Sequence, residues 1–144
     1  MSFLRPAGTG DEAALLALIR EFYTIDHHSY DEPLLRKALT PLLEGDEHGV
    51  VWLLEDGSGY AVVTWSYSLE SGGREALLDE IYVRNRESGT GGRLLQAILA
   101  DLRERGLRRM FLETERHNKR VRRFYARHGF TEEDSVWMVW ESSD

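Results

Sequence analysis

The chain has 144 residues, 42% hydrophobic and 30% charged, with a formal net charge of −7 and no cysteine. That length suits one domain spanning 1–144 with a core that closes without disulfides or metal, and the missing cysteines exclude zinc–thiolate sites, thiol nucleophiles and acyl transfer through an enzyme cysteine. Acidity argues against general nucleic-acid binding, and neither a membrane-length apolar run nor a continuous signal-peptide core is found, so a cytoplasmic protein is expected.

Phe3 and Leu4 before Arg5-Pro6 predict a short first strand. Thr9 or Asp11 then stands where it can cap a helix whose apolar face is Leu15, Leu18, Ile19 and Phe22. A second helix is expected over Glu32 to Leu43, with Pro33 in its first turn and Leu34, Leu35, Ala38, Leu39 and Leu42 turned inward. Between them, Asp26, His27, His28 and Asp31 have the chemistry of metal ligands. Adjacent histidines on a polar loop read better as a solvated or substrate-lining loop, and no metal is expected.

Residues 49 to 69 hold two β-rich runs separated by Glu55-Asp56-Gly57-Ser58-Gly59, which predicts a hairpin. Both runs are nearly continuous in apolar residues, so the sheet should be covered on both faces. A shorter turn at Ser71-Gly72-Gly73 leads to a third antiparallel strand over 75 to 83.

The stretch 77 to 95 changes character along its length. Leu77, Leu78, Ile81, Tyr82 and Val83 read as strand, Ser88 to Gly92 as a glycine turn, and Leu94, Leu95, Ile98, Leu99 and Leu102 recur at helical spacing over 91 to 105. Such a turn aims the first, unpaired N–H groups of the helix at one point, which suits an anion such as phosphate. Glycines here can also do no more than turn the chain, so site and turn stand as alternatives at this level.

Gly106 ends that helix and Met110, Phe111 and Leu112 read as a strand. Asn118 can cap a helix running to about Arg127, with Val121, Phe124 and Tyr125 apolar and Arg120, Arg122, Arg123 and Arg127 basic. Phe130 and Val136 to Trp140 suggest a closing hairpin. Trp52, Trp65, Tyr67, Trp137 and Trp140 are expected mainly in the sheet core, with Trp65 or Tyr67 available to line a pocket. The order β, α, α, β, β, β, α, β, α, β, β places one parallel strand–helix–strand unit in an otherwise antiparallel sheet of α/β (α+β) type. A Rossmann domain would repeat that unit several times.

With these elements in place the chain resembles the Gcn5-related N-acetyltransferases. Their signature, a strand followed by Arg or Gln, two residues, Gly, any residue and Gly or Ala, is matched by Arg86-Glu87-Ser88-Gly89-Thr90-Gly91. Their later Asn, opening a helix that ends in Phe-Tyr and Gly-Phe, is matched by Asn118, Phe124-Tyr125 and Gly129-Phe130. The resemblance covers essentially the whole chain. It implies an acyl-CoA N-acyltransferase-like fold, a central, mostly antiparallel sheet with one parallel splayed pair flanked by helices.

The resemblance further implies acetyl-CoA as co-substrate. Arg86, Glu87, Ser88, Gly89, Thr90, Gly91, Gly92 and Arg93 would cradle its pyrophosphate. The backbone of Ile81, Tyr82 and Val83 would pair with the pantetheine arm where the sheet splays, with Asn118 and Tyr125 near the pantetheine and the thioester sulfur. Two departures stand out: Val83-Arg84-Asn85-Arg86 is about two residues shorter than the usual approach, and Glu87 puts an anion beside a phosphate site.

The activity implied is direct acetyl transfer to an amine. Tyr125 would act as general acid, and Asp79 or Glu80 as base, with Glu113 a third candidate and a water path an alternative. Strand alternation would set Asp79 and Glu80 on opposite faces. A small-molecule primary amine is the expected acceptor, with a protein amine, a non-catalytic acetyl-CoA-binding module and a nucleotide-binding domain as competing readings. A homodimer is the expected assembly, with no nucleic-acid or membrane partner.

Overall fold

The computed structural model describes residues 3–143. The chain divides into two units, Met1–Glu113 and Thr114–Asp144.

In the first unit the elements follow in the order β1 (Leu4–Pro6), α1 (Glu12–Ile25), α2 (Glu32–Glu44), β2 (Gly49–Leu54), β3 (Gly59–Ser68), β4 (Gly73–Val83), α3 (Thr90–Glu104) and β5 (Met110–Phe111). The sheet runs β1-β2-β3-β4-β5. Its strands pair antiparallel except β4 with β5, which are parallel and joined by α3. The expected mixed sheet is therefore present.

Local chemistry explains the joints. In the β2–β3 turn Gly57 has φ 76° and the Asp56 carboxylate accepts from the Ser58 N–H at 3.0 Å, which is ordinary Asx-turn behaviour. Asp31 caps α2 by accepting from the Leu34 N–H at 3.2 Å, ahead of Pro33 in the first turn. Asp11 stands just before α1, yet its carboxylate does not cap that helix. It accepts from the Gly8 N–H at 2.8 Å and receives Arg5 on both oxygens, at 2.8 and 2.9 Å.

Every residue of β2 is buried, as a strand covered on both faces requires. On one face Leu15, Leu18 and Ile19 of α1 and Leu39 and Leu43 of α2 pack with Val51, Leu53, Tyr60, Val62 and Tyr82. By register, Trp52, Ala61, Val63 and Leu78 belong to the opposite face, and α3, which packs against β4, contributes the fully buried Leu94, Leu95 and Ile98. Each such side chain contributes roughly 1.5–3 kcal/mol.

Two expectations about helix α2 and the aromatics are corrected. Leu34 and Ala38 face solvent, because the buried ridge of α2 runs through Leu35, Leu39, Leu42 and Leu43, about one residue's rotation away. Tyr67 is 78% exposed near the end of β3, beyond the part that the helices cover.

The second unit carries α4 (Lys119–Arg127), capped as expected by Asn118, whose Oδ1 accepts from the Val121 N–H at 3.2 Å. The Arg122 guanidinium closes on Glu132 at 2.8 and 3.0 Å and on the Arg116 carbonyl at 2.7 Å. The closing hairpin is not formed: no strand is present over 131–143, and Trp137 and Trp140 are exposed rather than core. A hairpin needs two facing runs. Thr131 to Ser135 is too polar to supply the first.

Candidate active site

Strand β4 pairs with β3 along its whole length but with β5 only at Ala76↔Met110 and Leu77↔Phe111. Beyond Leu77 the two parallel strands separate, so the β5-facing side of β4 is open within this unit. The Arg84 N–H donates to the Ser58 carbonyl at 2.9 Å, which turns Arg84 towards β3. Successive residues of a strand turn their backbone groups to alternate sides. Ile81 and Val83 thus present N–H and C=O to the open edge. Tyr82 turns its own to β3, where its carbonyl lies so close to Gly59 that a Cβ there would come within 2.6 Å.

The register between β3 and β4 slips once. Val62 pairs with Glu80 and Val63 with Leu78, leaving Asp79 as the extra residue of a β-bulge. The expected simple alternation of Asp79 and Glu80 is therefore interrupted. Glu80 shares the register of Val62 and faces α1, where Tyr23 and Tyr60 donate their hydroxyls to its Oε2 and Oε1 at 2.5 and 2.6 Å.

Burial raises the Glu80 pKa. The two tyrosine hydrogen bonds and His28 act against that shift, while the charge of Asp79 reinforces it. Tyr23 and Tyr60 are pushed well above the ordinary tyrosine range, first by burial and then by Glu80, so both stay protonated donors. Asp79 meets solvent, but enough protein surrounds it that desolvation raises its pKa too. Its carboxylate accepts no hydrogen bond from a described side chain.

An aromatic group packs around this pair. Tyr23 meets Phe22, His28 and Tyr30 at ring distances of 5.9, 5.7 and 6.5 Å, and Phe22 stacks on Tyr82 at 5.5 Å. His28 Nε2 also pairs with Asp26 at 2.8 Å, and among the described residues no three potential metal ligands gather.

The glycine turn follows β4. Gly89 adopts φ 79°, which lets the chain reverse directly into α3. Ser88 Oγ donates to the Asn85 carbonyl at 2.9 Å and lies 2.6 Å from Thr90 Oγ1. The first intrahelical bond runs from the Arg93 N–H to the Gly89 carbonyl at 3.1 Å, so the amides of Gly91 and Gly92 point out of the helix end.

Arg86, Glu87 and Ser88 are exposed, and the Arg93 guanidinium lies over the Phe3 ring at 3.8 Å. The short approach is anchored. Arg84 forms a two-point pair with Glu21 of α1 at 2.7 and 3.0 Å, and Glu21 also accepts from the Tyr82 hydroxyl at 3.1 Å. These donors, with Arg84 foremost, lower the Glu21 pKa.

These residues fit a coenzyme A thioester: an open strand edge for an extended amide-bearing arm, then outward amides at a helix start for a diphosphate. Glu113, the third candidate carboxylate, is exposed just after β5. In the second unit the Asn118 cap uses Oδ1 and leaves the Nδ2 donors for other partners. Tyr125 is buried between Phe124 and Phe130, at ring distances of 5.1 and 5.5 Å, and burial raises its pKa to about 12. It makes no side-chain hydrogen bond to a described residue, and among the described residues no buried side-chain polar atom lacks a partner, so its hydroxyl reaches solvent.

Tyr23, Tyr60, Glu21 and the bulge escaped the sequence reading. Tyr23 and Tyr60 reach Glu80 from 57 and 20 residues away. No local spacing signals such a meeting.

This fold and edge geometry define the class, and comparison with known proteins specifies it. Residues 13–130 match the model of the acetyltransferase (GNAT) family. The chain is similar to the uncharacterised N-acetyltransferase YhfO of Bacillus subtilis strain 168, with 28% identity over 134 residues and 90% of each chain covered. It is also similar to the solved structure of an integron cassette protein from the mobile metagenome of Cole Harbour Salt Marsh, with a TM-score of 0.82, 28% identity, and 98% of this chain and 90% of that chain covered. The aminoglycoside acetyltransferase meta-AAC0020 from an uncultured soil metagenomic sample, solved with sisomicin, shares the fold at a TM-score of 0.77 and 19% identity, with 98% and 95% covered.

The chain belongs to the acetyltransferase (GNAT) family. It is an acetyl-CoA-dependent N-acetyltransferase.

Proposed function

We propose that this enzyme moves the acetyl group from acetyl-CoA directly to the primary amine of a small molecule, as one cytoplasmic acetyltransferase domain working in a homodimer. The observation that carries this reading is the open edge of β4, where Ile81 and Val83 turn their backbone groups outward beside the carboxylates of Asp79 and Glu80. Acetyl-CoA supplies an acyl thioester. Ile81 and Val83 pair with its pantetheine arm, and the turn from Arg86 to Arg93, with Gly91 and Gly92 as amide donors, holds its diphosphate.

Asp79 is the better-placed base of the pair, since both oxygens of Glu80 are already occupied by tyrosine hydroxyls. Asp79 takes the proton of the ammonium form, directly or through water. The freed amine nitrogen attacks the carbonyl carbon, an outward N–H of the β4 edge stabilises the developing oxyanion, and the C–S bond breaks. Tyr125, protonated across the neutral range, gives its proton to the departing thiolate; the attacking nitrogen sheds its second proton through water to the tyrosinate as the amide forms, and Asp79 returns its proton to solvent. Asn118 orients the pantetheine. The products are the N-acetyl amine and free thiol.

The acidic and aromatic surroundings of Asp79 and Glu80 support a cationic amine of small size. That a same-fold neighbour, an aminoglycoside acetyltransferase, was solved with sisomicin supports this reading. An amine-library screen, read by mass for acetylated product and by thiol release, tests this. Turnover with small amines is expected. Tight coenzyme binding with no turnover would assign a non-catalytic module, and turnover only with peptides would assign a protein acceptor.

A further inference from the structure

Three consecutive residues of α1 reach β4 and its exit. Glu21 accepts from the Tyr82 hydroxyl at 3.1 Å and from Arg84 Nε and Nη2 at 3.0 and 2.7 Å, Phe22 stacks on Tyr82, and Tyr23 donates to Glu80. The gripped positions 80, 82 and 84 alternate with Ile81 and Val83, whose backbone groups face the open edge. The support is firm, because Leu15, Leu18 and Ile19 of the same helix are buried in the core.

As a source of stability the Glu21–Arg84 pair is weak. Its side chains are 37% and 53% exposed, and ion pairs so open to water are screened and contribute little. Its geometry is more specific than its energy, since two guanidinium nitrogens on the two carboxylate oxygens fix direction as well as distance. The Arg84 N–H is also bonded to the Ser58 carbonyl at 2.9 Å, so the β2–β3 turn holds its backbone while α1 holds its side chain. The glycine turn beyond is bonded to itself: Asn85 Oδ1 accepts from the Glu87 N–H at 3.2 Å, and Ser88 Oγ donates to the Asn85 carbonyl and meets Thr90 Oγ1. A self-bonded turn takes its placement from its two ends, which here are α3 and Arg84.

We propose that Glu21 is a positioning residue for the coenzyme: by holding Arg84 it sets where the Gly91 and Gly92 amides stand against the diphosphate. This rests on the reading above that the turn receives acetyl-CoA. The sign of the effect separates placement from charge. Glu21 is an anion on the approach to a diphosphate site, so as a bare charge it opposes binding, and neutralising it would lower the KM for acetyl-CoA. As a positioning residue its loss raises that KM, even though the change adds net positive charge beside the phosphates.

The test is a KM-against-kcat split on the full chain, with calorimetric binding of coenzyme A carrying it where no acceptor is in hand. Glu21→Gln should raise the Kd for coenzyme A and the KM for acetyl-CoA about three- to tenfold, with kcat changed less than about twofold. Arg84→Lys keeps the charge but loses the planar fork, and it should do the same, which also serves if Glu21→Gln does not fold. Amides of 85–89 should exchange faster in both variants. The double variant should bind no more weakly than the weaker single one, because both act through one contact. A Kd that falls in Glu21→Gln, effects that multiply in the double variant, or a lowered Tm with Kd unchanged overturns the positioning role. Gly89→Ala separates the two levels. If it weakens coenzyme A binding and Glu21→Gln does not, the role of Glu21 alone falls; if it leaves binding unchanged, the turn is not the diphosphate site and the reading beneath falls with it.

Discussion

The hydroxyl of Tyr23 on α1 donates to Glu80 Oε2 on β4 at 2.5 Å, joining the first helix to the strand that forms the open edge. Because burial raises the Glu80 pKa, the stability contributed by its protonated form is fully present below the ordinary glutamate value and is lost as pH rises through the raised one. Glu80→Gln removes that loss. The Tm of the variant relative to wild type should therefore climb as pH is raised from the ordinary glutamate value of about 4.3 into the neutral range. Thermal melts across that range check the sign, and a flat or falling difference would contradict it.

The base assignment separates by pH–rate profile. Asp79→Asn should lower kcat/KM by about 10²–10⁴-fold and abolish the acidic limb. Glu80→Gln should keep the limb close to its wild-type position, because burial and not the Glu80 charge raises the Asp79 pKa. If Glu80→Gln instead abolishes the limb while Asp79→Asn retains it, the two roles are reversed.

Tyr125 stands near pKa 12 and so carries its proton throughout the neutral range. Tyr125→Phe keeps the ring contacts with Phe124 and Phe130 and removes only the hydroxyl. A fall in kcat of about 10²–10⁴-fold is expected, with acetyl-CoA affinity changed little. Stopped-flow turnover and calorimetric binding measure the two separately. An unchanged kcat would remove Tyr125 from proton transfer.

Gly89 tests the turn. A Cβ there would meet nothing within 4 Å, so Gly89→Ala acts through its φ of 79° and not through crowding. The left-handed conformation costs about 1–2 kcal/mol for alanine, and relaxing it would re-aim the Gly91 and Gly92 amides. The expected result is a lower Tm and a KM for acetyl-CoA raised about tenfold, with Gly89→Asn recovering much of both. Loss of stability with no change in KM would make the turn structural only.

Much of this protein was legible in one dimension because the deciding forces are local. Gly57 and Gly89 mark turns that need positive φ, Asn118 caps the helix that follows it, and the apolar runs of β2 and β3 require a sheet covered on both sides. The tertiary structure decided what depends on distant partners. One extra residue in β4 made Asp79 the bulge, two tyrosines from separate elements converged on Glu80, and Glu21 anchored Arg84. The Val136–Trp140 run shows the same boundary from the other side. Its sequence reads as an apolar strand, yet no strand is present there: a strand acquires a place only from the edge it pairs with, and backbone hydrogen bonding between strands is not encoded in the spacing of either one.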